Sequence, residues 1–462
     1  MLQNFKHQTE VVDRFKDLDK GAILLEMGLG KTRIAIQIAE YKYTKGEITA
    51  VLIVMPKSLL TNWARIEIPR HGTLEYNIYN WKERGPQFFR PGKLQYFIVN
   101  HDAIITPRFQ EVFKMFLSVH KNFMLVAEES TGFKSGRAKR TKRILQIARI
   151  AKARFILTGA PITQGPLDAF SQFEILTPGA LGHRSIISFR AHYAVMQRMK
   201  FGPRVFDKIV GYQNLPELSS RINKLGVIIK KEEVLDLPKQ LFRKFPVELT
   251  ADQAVAYEDL RDKALAYIDS HEITAMNAIS LVNKLLQVCS GQMRTLEKYL
   301  ELQTDRIETV KELVEECAGK TVIWSAFIRS GQLIAEALGT DAVHVIASDS
   351  QDVRFAKLES FRNGSKKALV MNPASGGVGI TLTESSNVIY YDRSFSYEHR
   401  IQSLARTHRI GQTNNVLVTD LYAPNTLEER VIEILKEKER LANLVMSKDH
   451  VINLLNWKGN GA

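Results

Sequence analysis

Ten short apolar runs fall into two groups of five, and this arrangement limits the folds open to the chain. The first group is AILLEM (22–27), AVLIVMP (50–56), YFIVN (96–100), FMLVAEE (123–129) and RFILTG (154–159). The second is TVIWSAF (321–327), AVHVIA (342–347), KALVMNP (367–373), NVIYYD (387–392) and VLVTDLY (416–422). Each run is nearly unbroken, as in strands buried on both faces, and helix-like stretches such as 31–43 and 139–152 lie between them. Strands alternating with helices predict parallel sheets covered on both sides. Between the groups the rhythm is lost. ADQAVAYEDLRDKALAYIDS and AMNAISLVNKLLQVCSGQM carry helical periodicity there, so a mostly helical bridge is expected over 181–300. The expected organisation is an α/β lobe over 1–180, the bridge, a second α/β lobe over 301–443 and a tail over 444–462. The charged segment TLEERVIEILKEKERLANLVMS reads as an amphipathic helix on the second lobe.

At 462 residues, 45% hydrophobic and 25% charged, the chain has ample sequence for large cores. Its 64 basic and 50 acidic residues leave a formal charge of +14, which favours a polyanionic partner such as nucleic acid. Two cysteines, Cys289 and Cys317, make neither a disulfide framework nor a four-ligand zinc site. The histidines His101, His192, His399 and His408 show no metal-ligand spacing with them and read as structural or DNA-facing. No apolar run reaches the length of a membrane span, and the first residues lack a signal-peptide core. A cytoplasmic protein, nuclear in a host with a nucleus, is expected.

LLEMGLGKT (24–32) follows the first strand and opens a helix. A glycine-rich turn in that place lets backbone N–H groups face phosphate oxygens. Lys31 can reach the β- and γ-phosphates, and the Thr32 hydroxyl can hold magnesium. Leu25 stands where the strict pattern has its first glycine, but Gly28, Gly30, Lys31 and Thr32 keep the core of it. About 100 residues on, FMLVAEE ends in Glu128 and Glu129. Alone, two acids at a strand end are more often a solvated edge. Paired with a phosphate loop, Glu129 becomes a candidate to orient and deprotonate a water, and Glu128 to touch magnesium through its waters.

The second lobe carries SGGVGITLTESSNVIYYD (375–392) and QSLARTHRIGQ (402–412). Arg406 and Arg409 are expected three apart on one helix face, where they could stabilise charge on a transferring phosphoryl group. A basic helix facing solvent or DNA is the plainer reading.

Taken together these segments resemble the Swi/Snf-type ATPases of helicase superfamily two, in order and over nearly the whole chain. EMGLGKT, including Met27 and Leu29, is similar to motif I, VLIVMPKSLLTNW to motif Ia and AEESTGFK to motif II. LTGAPITQGPLDAFSQFEIL is similar to motif III, VIWSAF to motif IV, and the two second-lobe segments to motifs V and VI. FKHQ (5–8) resembles an adenine-reading motif with Gln8 as reader. The resemblance implies two RecA-like lobes, ATP and Mg2+ as cofactors, and sequence-independent movement along double-stranded DNA. It implies nucleotide contacts from Gln8, the 27–32 loop and Gly379. It also implies coupling of nucleotide state to closure through Thr158, Gly159 and Gln402. DNA backbone contacts are implied at Lys57, Ser58 and Asn62, and at Ser375, Gly376 and Thr381.

Lys134, Arg137, Lys139 and Arg140, in a basic run beside the acidic strand end, are further phosphate-contact candidates, although charge runs are usually solvated faces. Trp63 and Trp324 read as core. One departure bears on chemistry: Glu128 stands where relatives usually carry Asp, which moves the carboxylate by ~1.5 Å, one C–C bond length. Impaired but not abolished hydrolysis is expected. The reading is a monomeric DNA translocase with room for a protein partner that supplies targeting and with no membrane association. The alternatives are a branched-DNA or annealing helicase, and an ATP-gated clamp that hydrolyses poorly.

Overall fold

The computed structural model describes residues 4–83, 88–159, 161–162, 165–201, 204–270, 283–294, 299–374, 380–394, 396–429, 431–432 and 435–436. They divide into two compact units, one up to Leu235 and the other from Asp236 onward.

The first unit is built on seven strands. They are β1 (Lys20–Leu25), β2 (Ala50–Met55), β3 (Tyr76–Asn80), β4 (Leu94–Asn100), β5 (Phe123–Glu128), β6 (Ala153–Leu157) and, after a separate antiparallel hairpin of β7 (Ala194–Phe201) and β8 (Arg204–Tyr212), β9 (Gly226–Ile229). Their order is β3-β4-β2-β5-β6-β1-β9 and every pairing is parallel. All C-terminal strand ends therefore lie along one edge, where loops in open α/β sheets gather ligands. The strands β2 and β5 are buried at every position, as their unbroken apolar sequence requires. Helices Lys31–Thr44 and Lys139–Ile150 form where helix-like spacing predicted them. Trp63 packs in the core of this unit.

The second unit holds β10 (Gln240–Pro246), the short pair β11 (Gln292–Arg294) and β12 (Tyr299–Glu301), and then β13 (Lys320–Trp324), β14 (Ala342–Val345), β15 (Ala368–Met371), β16 (Ser385–Tyr390) and β17 (Val416–Tyr422). Its main sheet runs β10-β17-β16-β13-β15-β14, again wholly parallel, with Trp324 fully buried. All ten apolar runs are thus strands of two parallel sheets flanked by helices.

The segment 181–300 contains the helices Ile186–Tyr193, Leu215–Leu225 and Ala251–Ser270, and it also contributes strands to both sheets: β9 pairs with β1, and β10 pairs with β17. The expected helix within AMNAISLVNKLLQVCSGQM lies partly, and the tail helix largely, outside the described residues. Among the described residues no helix is long and apolar enough to cross a membrane.

A buried ion pair closes the second unit. Arg306 and Glu428 are both almost wholly inaccessible. Arg306 also donates to the Tyr391 carbonyl (3.1 Å), and Glu428 accepts the Ala423 N–H (2.8 Å). Burial alone would lower the guanidinium pKa, but Glu428 holds it raised. Replacing Arg306 by Met leaves a carboxylate buried without its cation. It should lower the stability of this unit by about 3–5 kcal/mol. Arg306→Met/Glu428→Leu should recover most of that loss, as read from urea midpoints.

Candidate nucleotide site

The phosphate loop leaves β1 at Glu26 and enters the helix at Lys31. Gly28 and Gly30 take φ of 92° and 85°, where a side chain is strained. Gly30 is also crowded, since a Cβ there would stand 2.3 Å from Gln8 Nε2. Gln8 is 4% exposed and its amide is committed locally: Nε2 donates to the Leu29 carbonyl (3.2 Å) and Oε1 accepts the Phe5 N–H (3.2 Å). The neighbouring His7 ring bonds the same Leu29 carbonyl (3.0 Å). The segment 5–8 therefore buttresses the loop. Lys31 is buried and its Nζ donates to the Leu25 carbonyl (2.8 Å), while Thr32 is half-buried at the first helical turn. Met27 follows Glu26, whose side chain accepts the Lys231 N–H (2.9 Å) and stands 3.5 Å from Lys231 Nζ.

The acids come in on β5, with β6 between it and β1. Glu128 ends β5, fully within the protein, and its Oε2 has no hydrogen-bond partner among the described residues. Burial and the neighbouring Glu129 push its carboxyl up to about 8, with Lys31 acting against them. Glu129 holds φ 48° and ψ 60°, a left-handed conformation rare for a residue with a side chain. That turn leads into the short helical segment Ser130–Phe133.

Motif III completes the cluster. The Thr158 hydroxyl donates to Glu129 Oε2 (3.3 Å), and a Cβ on Gly159 would stand 3.2 Å from Met27 Cγ and 3.3 Å from its N. The phosphate loop, Glu129 and the Thr158–Gly159 pair thus meet at one edge of one sheet. An unpartnered Glu128 oxygen with Lys31 as an electrostatic neighbour, in the cluster that holds Glu129, fits a hydrated divalent cation.

Two residues position the acidic turn: Gln172, which the sequence reading does not single out, and His101, which it takes as structural or DNA-facing. Gln172 is fully buried and ties three segments together: it accepts from the Ser130 hydroxyl (2.7 Å) and donates to the carbonyls of Pro161 (2.6 Å) and Asp168 (2.8 Å). His101, at the end of β4, bonds the Glu128 carbonyl (2.9 Å). Its ring lies so close to Gly132 that a Cβ there would sit 2.6 Å away. Polar side chains in otherwise apolar segments were the signal available.

The nucleic-acid candidates of this unit divide. Lys57, Ser58, Arg137 and Lys139 are exposed, and Lys134 is half-buried. Asn62 donates to Glu67 (3.0 Å). Arg140 donates to the Gly132 carbonyl (2.8 Å) and pairs with Asp102 (3.0 Å), so it braces the acidic turn.

In the second unit, Ser375, Gly376 and Gly379 lie outside the described residues. The Thr381 carbonyl accepts from Arg362 (2.8 Å), and Gln402 donates to Glu398 (3.2 Å) one turn back along its helix. The expectation of Arg406 and Arg409 on one helix face is corrected: the helix Tyr397–Thr407 ends between them. His408 leaves helical geometry and its ring bonds the Pro238 carbonyl (2.8 Å). Gly411 then takes φ 101°. Gln412, 6% exposed, clamps the turn by donating to the carbonyls of Thr407 (3.2 Å) and Ser385 (2.9 Å) and accepting the N–H groups of Thr413 and Asn414. Arg406 is buried, with its carbonyl on the Leu382 N–H, and Arg409 is half-buried in the turn.

Against known proteins, a family model described as SNF2-related domain matches residues 7–304, and one described as helicase conserved C-terminal domain matches residues 305–411. A Mycoplasma genitalium protein named uncharacterized ATP-dependent helicase MG018 is 27% identical over 96% of this chain and 42% of its own length. The mouse protein named DNA annealing helicase and endonuclease ZRANB3 is 26% identical over 91% of this chain and 38% of its own. The chain therefore spans less than half the length of these relatives. Among solved structures, the Sulfolobus solfataricus SWI2/SNF2 ATPase core in complex with dsDNA aligns with 98% of this chain and 95% of that one. It does so at 23% identity and a TM-score of 0.44.

The crowding at Gly30 gives a direct test of the loop. Gly30→Ala should lower thermal stability by about 1–2 kcal/mol from its backbone angle alone, with the contact on Gln8 adding to this. Combined with Gln8→Ala the clash disappears, so the double variant should be less destabilised than the sum of the two single ones.

Proposed function

The chain belongs to the SNF2-related family, and from that premise we propose that it is an ATP-driven motor that moves along double-stranded DNA. It is an ATP hydrolase. The observation that carries the reading is the junction of Thr158 with Glu129 and of Gly159 with Met27, which joins the acid nearest the chemistry to the loop that would hold phosphates.

In this reading the backbone N–H groups of 27–32 and Lys31 bind the phosphates, with Lys31 exchanging the Leu25 carbonyl for a phosphate oxygen. Gln8 supports the loop and meets the base. Glu129 takes a proton from the attacking water, held in line by Thr158. Thr32 and Glu128 would hold magnesium, which when bound neutralises phosphate charge. Arg406 and Arg409 are the second unit's contribution to charge stabilisation. The exposed cations Lys57, Arg137 and Lys139, with Ser58 and Lys134, contact DNA phosphates without reading sequence.

A second reading rests on Glu128. Its reach exceeds that of Asp by one methylene, and burial beside Glu129 pushes its carboxyl pKa up, so it holds a cation less readily. A clamp that binds ATP and DNA yet turns over slowly follows from the same geometry.

Phosphate release, with and without linear duplex DNA, separates the two. A motor gives DNA-stimulated turnover that Lys31→Ala abolishes and Glu129→Gln lowers by about 10²–10⁴. Glu128→Asp should raise turnover by about ten- to a hundredfold if the longer side chain misplaces the site. Equal turnover in Glu128→Asp would show that Glu128 is tolerated. DNA binding that responds to ATP with no turnover would favour the clamp. Strand displacement on a forked substrate would favour the branched-DNA helicase.

A further inference from the structure

Beyond the candidates above, a second group of cations lies at the outer end of the same sheet edge. Trp81 follows β3, the edge strand, and its backbone N–H donates to the Ile98 carbonyl of β4 (3.0 Å). The Arg108 guanidinium lies 4.5 Å above its indole. The indole in turn meets Phe109 edge-on, with centroids 6.1 Å apart. Phe109 stacks on Phe97 and Phe113 in the core, so the platform is rigid. Arg143, from the basic helix Lys139–Ile150, lies 6.0 Å over Phe109. Lys82, the residue after Trp81, donates to the Thr61 hydroxyl (3.2 Å). That contact ties the platform to the segment that carries Lys57 and Ser58.

The contacts thus connect two phosphate-contact candidates, Lys57–Ser58 and the Lys139 helix, through one aromatic platform ringed by Arg108, Lys82 and Arg143. Arg108 and Lys82 are exposed. The nearby acids Glu83 and Asp102 face Arg65 and Arg140 respectively, and Glu111 stands one turn further along the Arg108 helix. A guanidinium held over an aromatic face, with its edge open, is already ordered for bonding to an anion.

We propose that Trp81, Arg108 and Lys82 form an outer anchor for the phosphate backbone of duplex DNA, continuing the track from Lys57 and Ser58. This rests on the DNA-motor reading and extends it to residues outside the motifs. The anchor is independent of sequence, because a cation–π-held guanidinium and a lysine read charge and spacing only. Trp81 is a positioning residue that orders Arg108.

The test is the salt dependence of binding to linear duplex DNA, measured without nucleotide. Each phosphate contact removed should reduce the slope of log affinity against log salt by about 0.9. Arg108→Ala/Lys82→Ala should therefore flatten it by about 1.8. Trp81→Leu keeps the charges but releases Arg108, and should weaken binding by about two- to tenfold, the cost of ordering one long side chain. Lys45→Ala removes an exposed cation beyond the C-terminus of Lys31–Thr44, at the opposite edge of the sheet, and should leave the slope unchanged. Thermal melts establish that each variant is folded, and Arg108→Gln with Lys82→Gln gives the same measurement should the alanine pair not fold. A slope equal to that of the unmodified chain in both pairs overturns the anchor, as does an equal loss in Lys45→Ala. If the unmodified chain itself shows no salt-sensitive DNA binding, the motor reading has failed rather than the anchor alone.

Discussion

Gly159 packs closely on Met27, where a Cβ would stand 3.2 Å from its Cγ and 3.3 Å from its N, while the residue before it holds Glu129. The chemistry proposed for the first unit depends on this contact, because it sets the distance between the phosphate loop and the acids. It exists because β1, β6 and β5 are adjacent and parallel, so three segments remote in sequence end side by side. Glu129 occupies a left-handed backbone conformation at that junction. Such strain persists only where the surroundings over-determine it. Gln172, His101 and Arg140 are those surroundings, each holding a different backbone atom or hydroxyl of the acidic turn or its neighbours.

The second unit solves a different problem with similar means. Arg406 and Arg409, proposed for charge stabilisation, sit at a helix end and in the following turn, which by themselves would leave carbonyls without donors. Gln412 supplies the donors and also accepts two amides, so the HRIGQ sequence makes a rigid corner. The Arg306–Glu428 pair closes the other side of the β16–β17 region through Tyr391 and Ala423. Burying a charge pair is a poor way to gain stability, but it punishes any misplacement of either partner.

Much of this was legible in the sequence where a single physical cause dominates. Unbroken apolar runs of strand length that alternate with helix-like stretches point to buried parallel strands, and all ten are strands. The phosphate loop was readable because φ above zero demands glycine at 28 and 30. What escaped has physical reasons too. Strand β3, YNIYN, is a polar edge strand covered by neighbours it meets only after folding. Strands β9 and β10 lie in a stretch with helical neighbours, and pairing with remote strands decides their state. Helical spacing placed Arg406 and Arg409 on one face, but the side chain of Gln412 and the φ of Gly411 stop the helix first. Gln172 acts through a contact with Ser130, 42 residues away in the chain, which no local pattern records.

The central claim is movement along duplex DNA driven by ATP, and displacement of a third strand from a linear duplex tests it most directly. The account predicts ATP-dependent release of the third strand after a lag that lengthens with the duplex track ahead of it, with no release by Lys31→Ala. Release that is independent of track length, or no release while ATP is hydrolysed in response to DNA, would contradict it.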